Sequence, residues 1–433
     1  MKRVLAVVVV FLGSLTVAIS QQPPATGNQP VATASATPGR YVGVGSCANS
    51  GCHGATQPIA DSRILHNEFY TWLGNDRHVQ AYNILFNERS ARIAKNMRLK
   101  RRAYEEKVCL DCHTTNVPAA LVDVKIDPED GVQCEACHGP ASGWRAEHTQ
   151  EGWTHAQSVA RGMIDLRAVP VRAQLCAGCH VGNANKEVDH ELIASGHPVL
   201  AFELDNFSEQ MPAHWKRDES DGVRAWATGQ VVKFRESLDN LARHARGDEW
   251  PEFSDMSCTN CHHALRGGEA RQARGWPDRA GLPAWSPQHW TALRVLIGKA
   301  SPAARDELDP LVRELAVKVA RMHDREGIAA TALRARRAVD AVVPRVDAMR
   351  WNDAEVRALM TAIANDRFAD VHAAQQAALA LQSLSSAMTR RNPRLLRGAT
   401  TRTIDALFEQ VQDVDAYDPD KFSRALAEVK ASL

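Results

Sequence analysis

The sequence predicts a mainly α-helical protein in two parts: short helices and loops wrapped around bound groups, followed by an α-helical bundle. Two observations lead to this fold class. All ten cysteines fall in five close pairs within the first 262 residues, and each pair is followed directly by a histidine. Beyond residue 300 the chain has no cysteine, and its apolar residues recur at helical spacing.

The five cysteine pairs share a constant feature, which is the histidine that follows them. Four pairs are separated by two residues and the first by four, in the stretch CANSGCH. Because only 17 of the 433 residues are histidine, five such coincidences are not chance. The five sets are Cys47, Cys52 and His53; Cys109, Cys112 and His113; Cys134, Cys137 and His138; Cys176, Cys179 and His180; and Cys258, Cys261 and His262.

CxxCH is the motif that attaches haem c covalently. The two thiols join the porphyrin and the histidine becomes an axial ligand of the iron. We therefore predict five haem c groups, or four if Cys47 and Cys52 do not form a site. In that first motif the stretch ANSG can loop out the two extra residues, because Asn49 and Gly51 tolerate positive φ. The alternatives are zinc knuckles and, for Cys47 and Cys52 alone, a local disulfide.

A six-coordinate haem iron needs a second axial ligand, normally His or Met. Between Tyr41 and His263 the chain has more spare histidines than methionines, so we predict bis-histidine ligation and low potentials. The nine spare histidines are His66, His78, His148, His155, His190, His197, His214, His244 and His263. Sequence context favours His78, His190, His197 and His214 as distal ligands. Farther along the chain, His323 and His372 are expected at the surface.

The middle motifs also carry a family resemblance. The stretch DGVQCEACHGPASGWRAEH, with CLDCH before it and CAGCH after it, resembles the multihaem cytochrome c family of the tetrahaem electron acceptors of hydroxylamine oxidation in nitrifying bacteria. The resemblance covers residues 43–263. It implies covalent haems stacked in close pairs, mostly bis-histidine irons with one sometimes five-coordinate, and His148 as a distal ligand. The longer first motif, the additional haem site and the helical C-terminal extension depart from that family.

The ends of the chain predict export and a second domain. Lys2 and Arg3 precede an apolar run that ends in Ala18-Ile19-Ser20, which predicts a signal peptide over residues 1–20. We therefore expect a periplasmic or otherwise exported protein with no stable membrane span after cleavage. We predict a flexible linker at 21–40, a multihaem cytochrome c domain at 41–265, a linker at 266–295 and an α-helical C-terminal domain at 296–433. Pro302, after Ser301, marks a helix start.

These features predict electron transfer between redox partner proteins through closely spaced haems, with no catalytic residue. The alternative is a multihaem oxidoreductase that acts on a small nitrogen or sulfur oxyspecies at one five-coordinate haem. The CxxCK motif of pentahaem nitrite reductases is not present. A third class is a haem-stabilised structural or binding subunit. A net charge of +1 gives no support to nucleic-acid binding. For the C-terminal helices, a stabilising cap is favoured over a docking surface.

Overall fold

The structure is a computed structural model that describes residues 39–62, 64–123, 126–215, 221–262, 282–396 and 398–433. The predicted signal peptide, nearly all of the linker 21–40, and His263 lie outside the described residues. Helices account for 61% of the residues, about twice the share in an average soluble protein. The described ranges contain isolated β-bridges and no strand. The predicted mainly α fold class is confirmed.

The first half consists of short helices joined by long loops. Single turns of 3-10 helix lie between them, including Val44–Ser46 before the first motif and Cys258–Asn260 at the fifth. Its apolar clusters are small; one contains only Val44, Trp72 and Val79 as buried members. The helices are α1 (Glu68–Asn75), α2 (Glu88–Asn96), α3 (Lys107–His113), α4 (Cys134–His138), α5 (His155–Ala160), α6 (Val169–His180), α7 (His190–Ala194) and α8 (Leu204–Gln210).

The second half consists of longer helices around one large apolar core. As predicted, a helix starts at Pro302, and the apolar positions of that helix, among them Leu308 and Leu315, are buried. In the part of the chain that the structure describes, no helix is both long and apolar enough to span a membrane. The helices are α9 (Asp221–Arg246), α10 (Thr291–Ala300), α11 (Pro302–Arg321), α12 (Arg325–Ala348), α13 (Asp353–Ala364), α14 (Val371–Arg391), α15 (Gly398–Glu409) and α16 (Pro419–Ser432).

Helix α9 connects the two halves, because both of its faces are buried. One face, with Ala225 and Val232, packs against α6 and α8. The opposite face packs along α12 and α14, and it carries Trp226 and Phe234, which are fully buried. Ion pairs such as Arg224 with Asp347, at 3.0 Å, join α9 to α12 at their edges. A helix that was assigned to the haem domain by sequence therefore supplies part of the bundle core.

Two details differ from the sequence-based expectations. His372 was expected at the surface but is only 4% exposed. Helix α14 is surrounded by other helices, whereas a surface helix would have one side in contact with solvent. Residues 263–281 of the chain, which include much of the predicted linker, lie outside the described residues. The described remainder of that linker is packed: Trp285 and Trp290 are buried, and α10 starts at Thr291. The domain boundaries themselves stay a prediction.

The bundle core predicts the cost of a cavity in α10. Leu296 is fully buried, so Leu296→Ala should lower the free energy of unfolding by about 2–5 kcal/mol, because it removes apolar contacts and leaves a cavity. Lys299→Ala, at an exposed position of the same helix, is the matched control and should change stability little. Denaturant unfolding followed by circular dichroism measures both. Equal stabilities for the two variants would contradict the packing described here.

Candidate haem-binding site

Three of the five motifs form the end of a helix. Helices α3, α4 and α6 finish on the histidines of their motifs, His113, His138 and His180. Residues three apart lie on the same face of a helix, so the two thiols of each motif project to one side and the histidine follows at the helix end. One short helix end therefore presents two thiols and an imidazole to the same volume.

The first motif reaches a similar arrangement through a different turn. Asn49 and Gly51 tolerate positive φ, but neither residue adopts it in this loop. Instead, the side-chain oxygen of Asn49 accepts the amide of Gly51 at 2.9 Å, and the carbonyl of Asn49 accepts the amide of Cys52 at 2.8 Å. The amide of His53 donates to the carbonyl of Cys47 at 3.3 Å. These bonds fold the two extra residues into a compact loop and keep His53 beside Cys47.

The fifth motif lies against the bundle. The amide of His262 donates to the carbonyl of Cys258 at 2.7 Å, which closes the motif into a turn. Ser257, directly before it, donates its amide to Ala284 at 2.8 Å and its hydroxyl to Asp370, the N-cap of α14. Burial, and then the charge of Asp370, raise the pKa of the Cys258 thiol to about 11. The fifth motif is thus anchored by the C-terminal helices.

All ten cysteines are free thiols, and several from different motifs are neighbours. Cys47 lies close enough to Cys134, and Cys112 close enough to Cys179, for their thiols to interact. Cys137 is close enough to Cys179 for their charges to interact. The first motif therefore adjoins the third, the third adjoins the fourth, and the fourth adjoins the second.

Three motif histidines have a second histidine ring at a nearly constant distance. The ring centres of His53 and His148 are 6.2 Å apart, those of His180 and His78 are 6.3 Å apart, and those of His113 and His197 are 6.5 Å apart. A metal–imidazole nitrogen distance is about 2 Å, with the ring centre about 1 Å farther, so two rings on opposite sides of one metal ion have centres about 6 Å apart. The observed spacings match that value.

The orientation of these rings also suits iron. In five of the six rings Nδ1 has a hydrogen-bond partner, which leaves Nε2 for a metal. The partners of His113, His148 and His197 are the carbonyl groups of Ala81, Arg145 and Pro198, while the partners of His53 and His78 are the carboxylates of Glu68 and Asp76. The ring pairs differ in angle: His53 and His148 are 7° from parallel, whereas the other two pairs meet at 81° and 88°.

The two carboxylate partners were not found by sequence analysis. Asp76 lies two residues before His78, which is a usable local signal, but Glu68 is 15 residues from His53 and gives none. The hydrogen bond with Glu68 raises the pKa of His53. Burial works against the charge of both carboxylates, yet their hydrogen bonds to His53 and His78 lower the pKa of Glu68 and of Asp76.

His53 has one further neighbour, His66, whose ring centre is 6.4 Å away. The amide of His66 donates to Glu68, which also binds Nδ1 of His53. The backbone of His66 therefore lies near the Nδ1 side of the His53 ring, opposite to the nitrogen that a metal would use.

His138 and His180 are both half-buried. Burial lowers the pKa of each imidazole to about 4, so both are neutral at ordinary pH. The charge of His214 acts on His138, which places these two predicted ligands near each other. The ring of His180 stacks on Phe202 at 5.1 Å.

The remaining predicted distal ligand, His190, lies near the fifth motif. Its amide donates to Glu252 at 2.9 Å, and its ring meets that of Phe253 at 5.6 Å, five residues before Cys258. Two other spare histidines are engaged elsewhere. Nε2 of His155 binds Asp165 at 2.9 Å, and both ring nitrogens of His244 bind carboxylates, those of Asp255 and Glu187.

The donor set fits haem c better than a bare metal ion. Paired imidazoles at a constant spacing, each next to two thiols, are what covalent haem with two axial ligands requires. Within the described ranges, no three His, Cys, Asp or Glu side chains converge to hold an ion such as zinc. The geometry thus gives no support to the zinc alternative.

Comparison with known proteins supports the same class, a multihaem c-type cytochrome in electron transfer. The sequence model of the family described as cytochrome c554 and c-prime matches residues 47–139, which contain the first three motifs. The match covers about a fifth of the chain, so it is a similarity of that part. Searches of curated proteins and of solved structures found no match.

His244 provides a stability prediction that is separate from haem. Burial disfavours its charge, but the bonds to Asp255 and Glu187 raise its pKa to about 10. A raised pKa in the folded state stabilises the protein fully below the ordinary value of about 6.5, and this contribution is lost as the pH rises through about 10. His244→Ala should therefore cost about 3–5 kcal/mol near neutral pH and less above pH 10, with the haem content unchanged.

Unfolding by denaturant on both sides of that pH window, with absorption spectra for haem content, measures this effect. His323→Ala, at an exposed ring that only contacts a backbone carbonyl, is the control. A loss of haem on changing His244 would show instead that this histidine is an axial ligand.

Proposed function

We propose that the chain is an exported multihaem c-type cytochrome that carries electrons between redox partner proteins through five haem c groups. The observation that carries the proposal is the set of histidine ring pairs at 6.2–6.5 Å beside the cysteine pairs. The cysteines hold the haems covalently, and the motif histidines His53, His113, His138, His180 and His262 are the proximal ligands. When bound, each haem supplies an iron that changes its charge by one electron.

The distal ligands follow from the same contacts. We assign His148 to the iron of His53, His197 to that of His113, and His78 to that of His180. Electrostatic proximity supports His214 as the ligand opposite His138, and the position beside Phe253 supports His190 for His262. Bis-histidine ligation gives low potentials, because methionine in place of the second histidine raises them.

The thiol contacts support an order of electron transfer that differs from the order along the chain. The first, third, fourth and second sites follow one another in space, because Cys47 adjoins Cys134, Cys137 adjoins Cys179, and Cys179 adjoins Cys112. The contacts favour a path in which the fourth site stands between the second and the third.

A catalytic role is the second candidate, and one observation favours a place for it. Among the ring contacts of the described residues, His138, like His262, has no histidine ring at the spacing of the other pairs. If His214 does not reach that iron, a small nitrogen or sulfur oxyspecies has one coordination position available there. Cyanide or nitric oxide binding to the isolated protein would support this candidate, and fully low-spin spectra without ligand uptake would reject it.

The number of haems is tested by the intact mass of the mature protein. We expect five haems on a chain that lacks about the first 20 residues. Replacing Cys47 and Cys52 together by serine should remove one haem and leave four, because serine cannot form the thioether. The matched control replaces Cys176 and Cys179, which belong to a motif of ordinary spacing. Unchanged mass in the first variant would show that CANSGCH is not a haem site.

Electron paramagnetic resonance tests the assigned axial pairs. Near-parallel imidazole planes give a rhombic low-spin ferric signal, and near-perpendicular planes give a strongly anisotropic one. We expect a rhombic signal from His53 with His148, at 7°, and two strongly anisotropic signals from the pairs at 81° and 88°. His148→Ala should abolish the rhombic signal and produce a high-spin one, whereas His155→Ala should leave every signal in place. Loss of the rhombic signal on changing His66 would overturn the choice of His148.

A further inference from the structure

Helix α1 carries a carboxylate at each end, and each carboxylate binds an axial histidine of a different site. Glu68 is the first residue of the helix, and its Oε2 lies 3.0 Å from Nδ1 of His53. Asp76 is the residue after its last turn, and its Oδ1 lies 2.9 Å from Nδ1 of His78. An eight-residue helix is about 12 Å long, which is the spacing that α1 sets between these two bonds.

Both carboxylates are held in place by further contacts. Oε1 of Glu68 accepts the amides of Leu65 and His66, at 2.9 and 3.1 Å. Oδ1 of Asp76 also accepts the amide of His78, at 2.9 Å, and Asp76 is only 4% exposed. Between them, Trp72 is buried and donates to the carbonyl of Val132 at 3.2 Å, which fixes the helix itself. The two acceptors are therefore rigid and shielded from solvent.

The other axial rings with a known Nδ1 partner are bonded differently. His113, His148 and His197 donate to backbone carbonyls, which are neutral. A carboxylate acceptor draws the Nδ1 proton more strongly, makes the imidazole a stronger donor to its metal, and adds a negative charge in a medium of low dielectric constant. Both effects stabilise the ferric state more than the ferrous state, which has one positive charge less.

We propose that Glu68 and Asp76 are potential-setting residues, which lower the reduction potentials of the first haem, at His53, and of the fourth haem, at His180 with His78. The second haem, whose axial rings both bind carbonyls, lies higher. The inference rests on the proposed function and concerns how the sites differ. In the order first, third, fourth, second, electrons therefore prefer the second site to the first and the fourth.

The test is a potentiometric titration of the full-length holoprotein, followed by electron paramagnetic resonance so that each haem is resolved. Glu68→Gln keeps an oxygen for the amides of Leu65 and His66 and turns an NH₂ group toward His53. It should raise the potential of the haem with the rhombic signal, with a tenfold loss of ferric preference equal to about 59 mV for one electron. Asp76→Asn keeps a neutral acceptor, so it should raise the potential of one strongly anisotropic signal by less.

The matched control is Asp165→Asn. It also removes a carboxylate from a histidine, but that bond uses Nε2 of His155, and the proposed function assigns His155 to no iron. No potential should move in this variant. Equal shifts in all three variants would show a general charge effect and overturn the proposal. The proposal would also be overturned if Glu68→Gln and Asp76→Asn kept their haem content and low-spin signals but left the potentials unchanged.

A measurement on the unaltered protein covers the case in which the variants fail to fold. Its two strongly anisotropic signals should titrate at different potentials, because one haem has Asp76 and the other has only carbonyl partners. A single common potential would overturn the assignment of Asp76. A protein that carries no haem, or no low-spin iron, would instead refute the proposed function.

Discussion

The distance of about 6 Å between the ring centres of paired histidines is the constraint on which the first half of the molecule depends. If each pair holds one iron, as we propose, two rings from distant parts of the sequence must both direct Nε2 toward that ion and turn Nδ1 away. His180 meets His78 in this way across about a hundred residues of chain, and His53 meets His148. Loops between short helices can bring two rings together more readily than long helices can, since each ring must reach its partner from a different direction. The small apolar clusters of this half follow from the same constraint.

Much of this arrangement can be predicted from sequence, because covalent attachment has a local signature. The ten cysteines and their five histidines lie in short motifs, and the helical tail follows from the spacing of residues such as Leu308 and Leu315. Sequence context favours His78 and His197 among the spare histidines, and their rings lie 6.3 and 6.5 Å from those of His180 and His113. Which motif histidine each of them approaches could not be predicted, because a pairing between distant residues leaves no trace in one sequence.

Other features depend on contacts that no single-sequence pattern contains. The loop in the first motif is closed by the side chain of Asn49 and not by positive φ, and both solutions suit the same letters. His372 is buried because other helices enclose α14. The alanines and serines of α14 do not show from sequence that the helix is buried. The role of Glu68 can be seen only in the folded structure, where its carboxylate binds Nδ1 of His53.

The two burial faces of α9 have a consequence for how the molecule is made. In a chain that emerges with its N-terminus first, the motifs up to Cys179 come out before α9, and α9 comes out well before α12 and α14, which cover its second face. Until those helices arrive, Trp226 and Phe234 lack most of the apolar core that surrounds them in the folded protein. Helix α6, which carries the fourth motif, therefore packs against a helix whose other face is covered only by the last third of the chain. A fragment that ended after α9 would leave that face in contact with solvent.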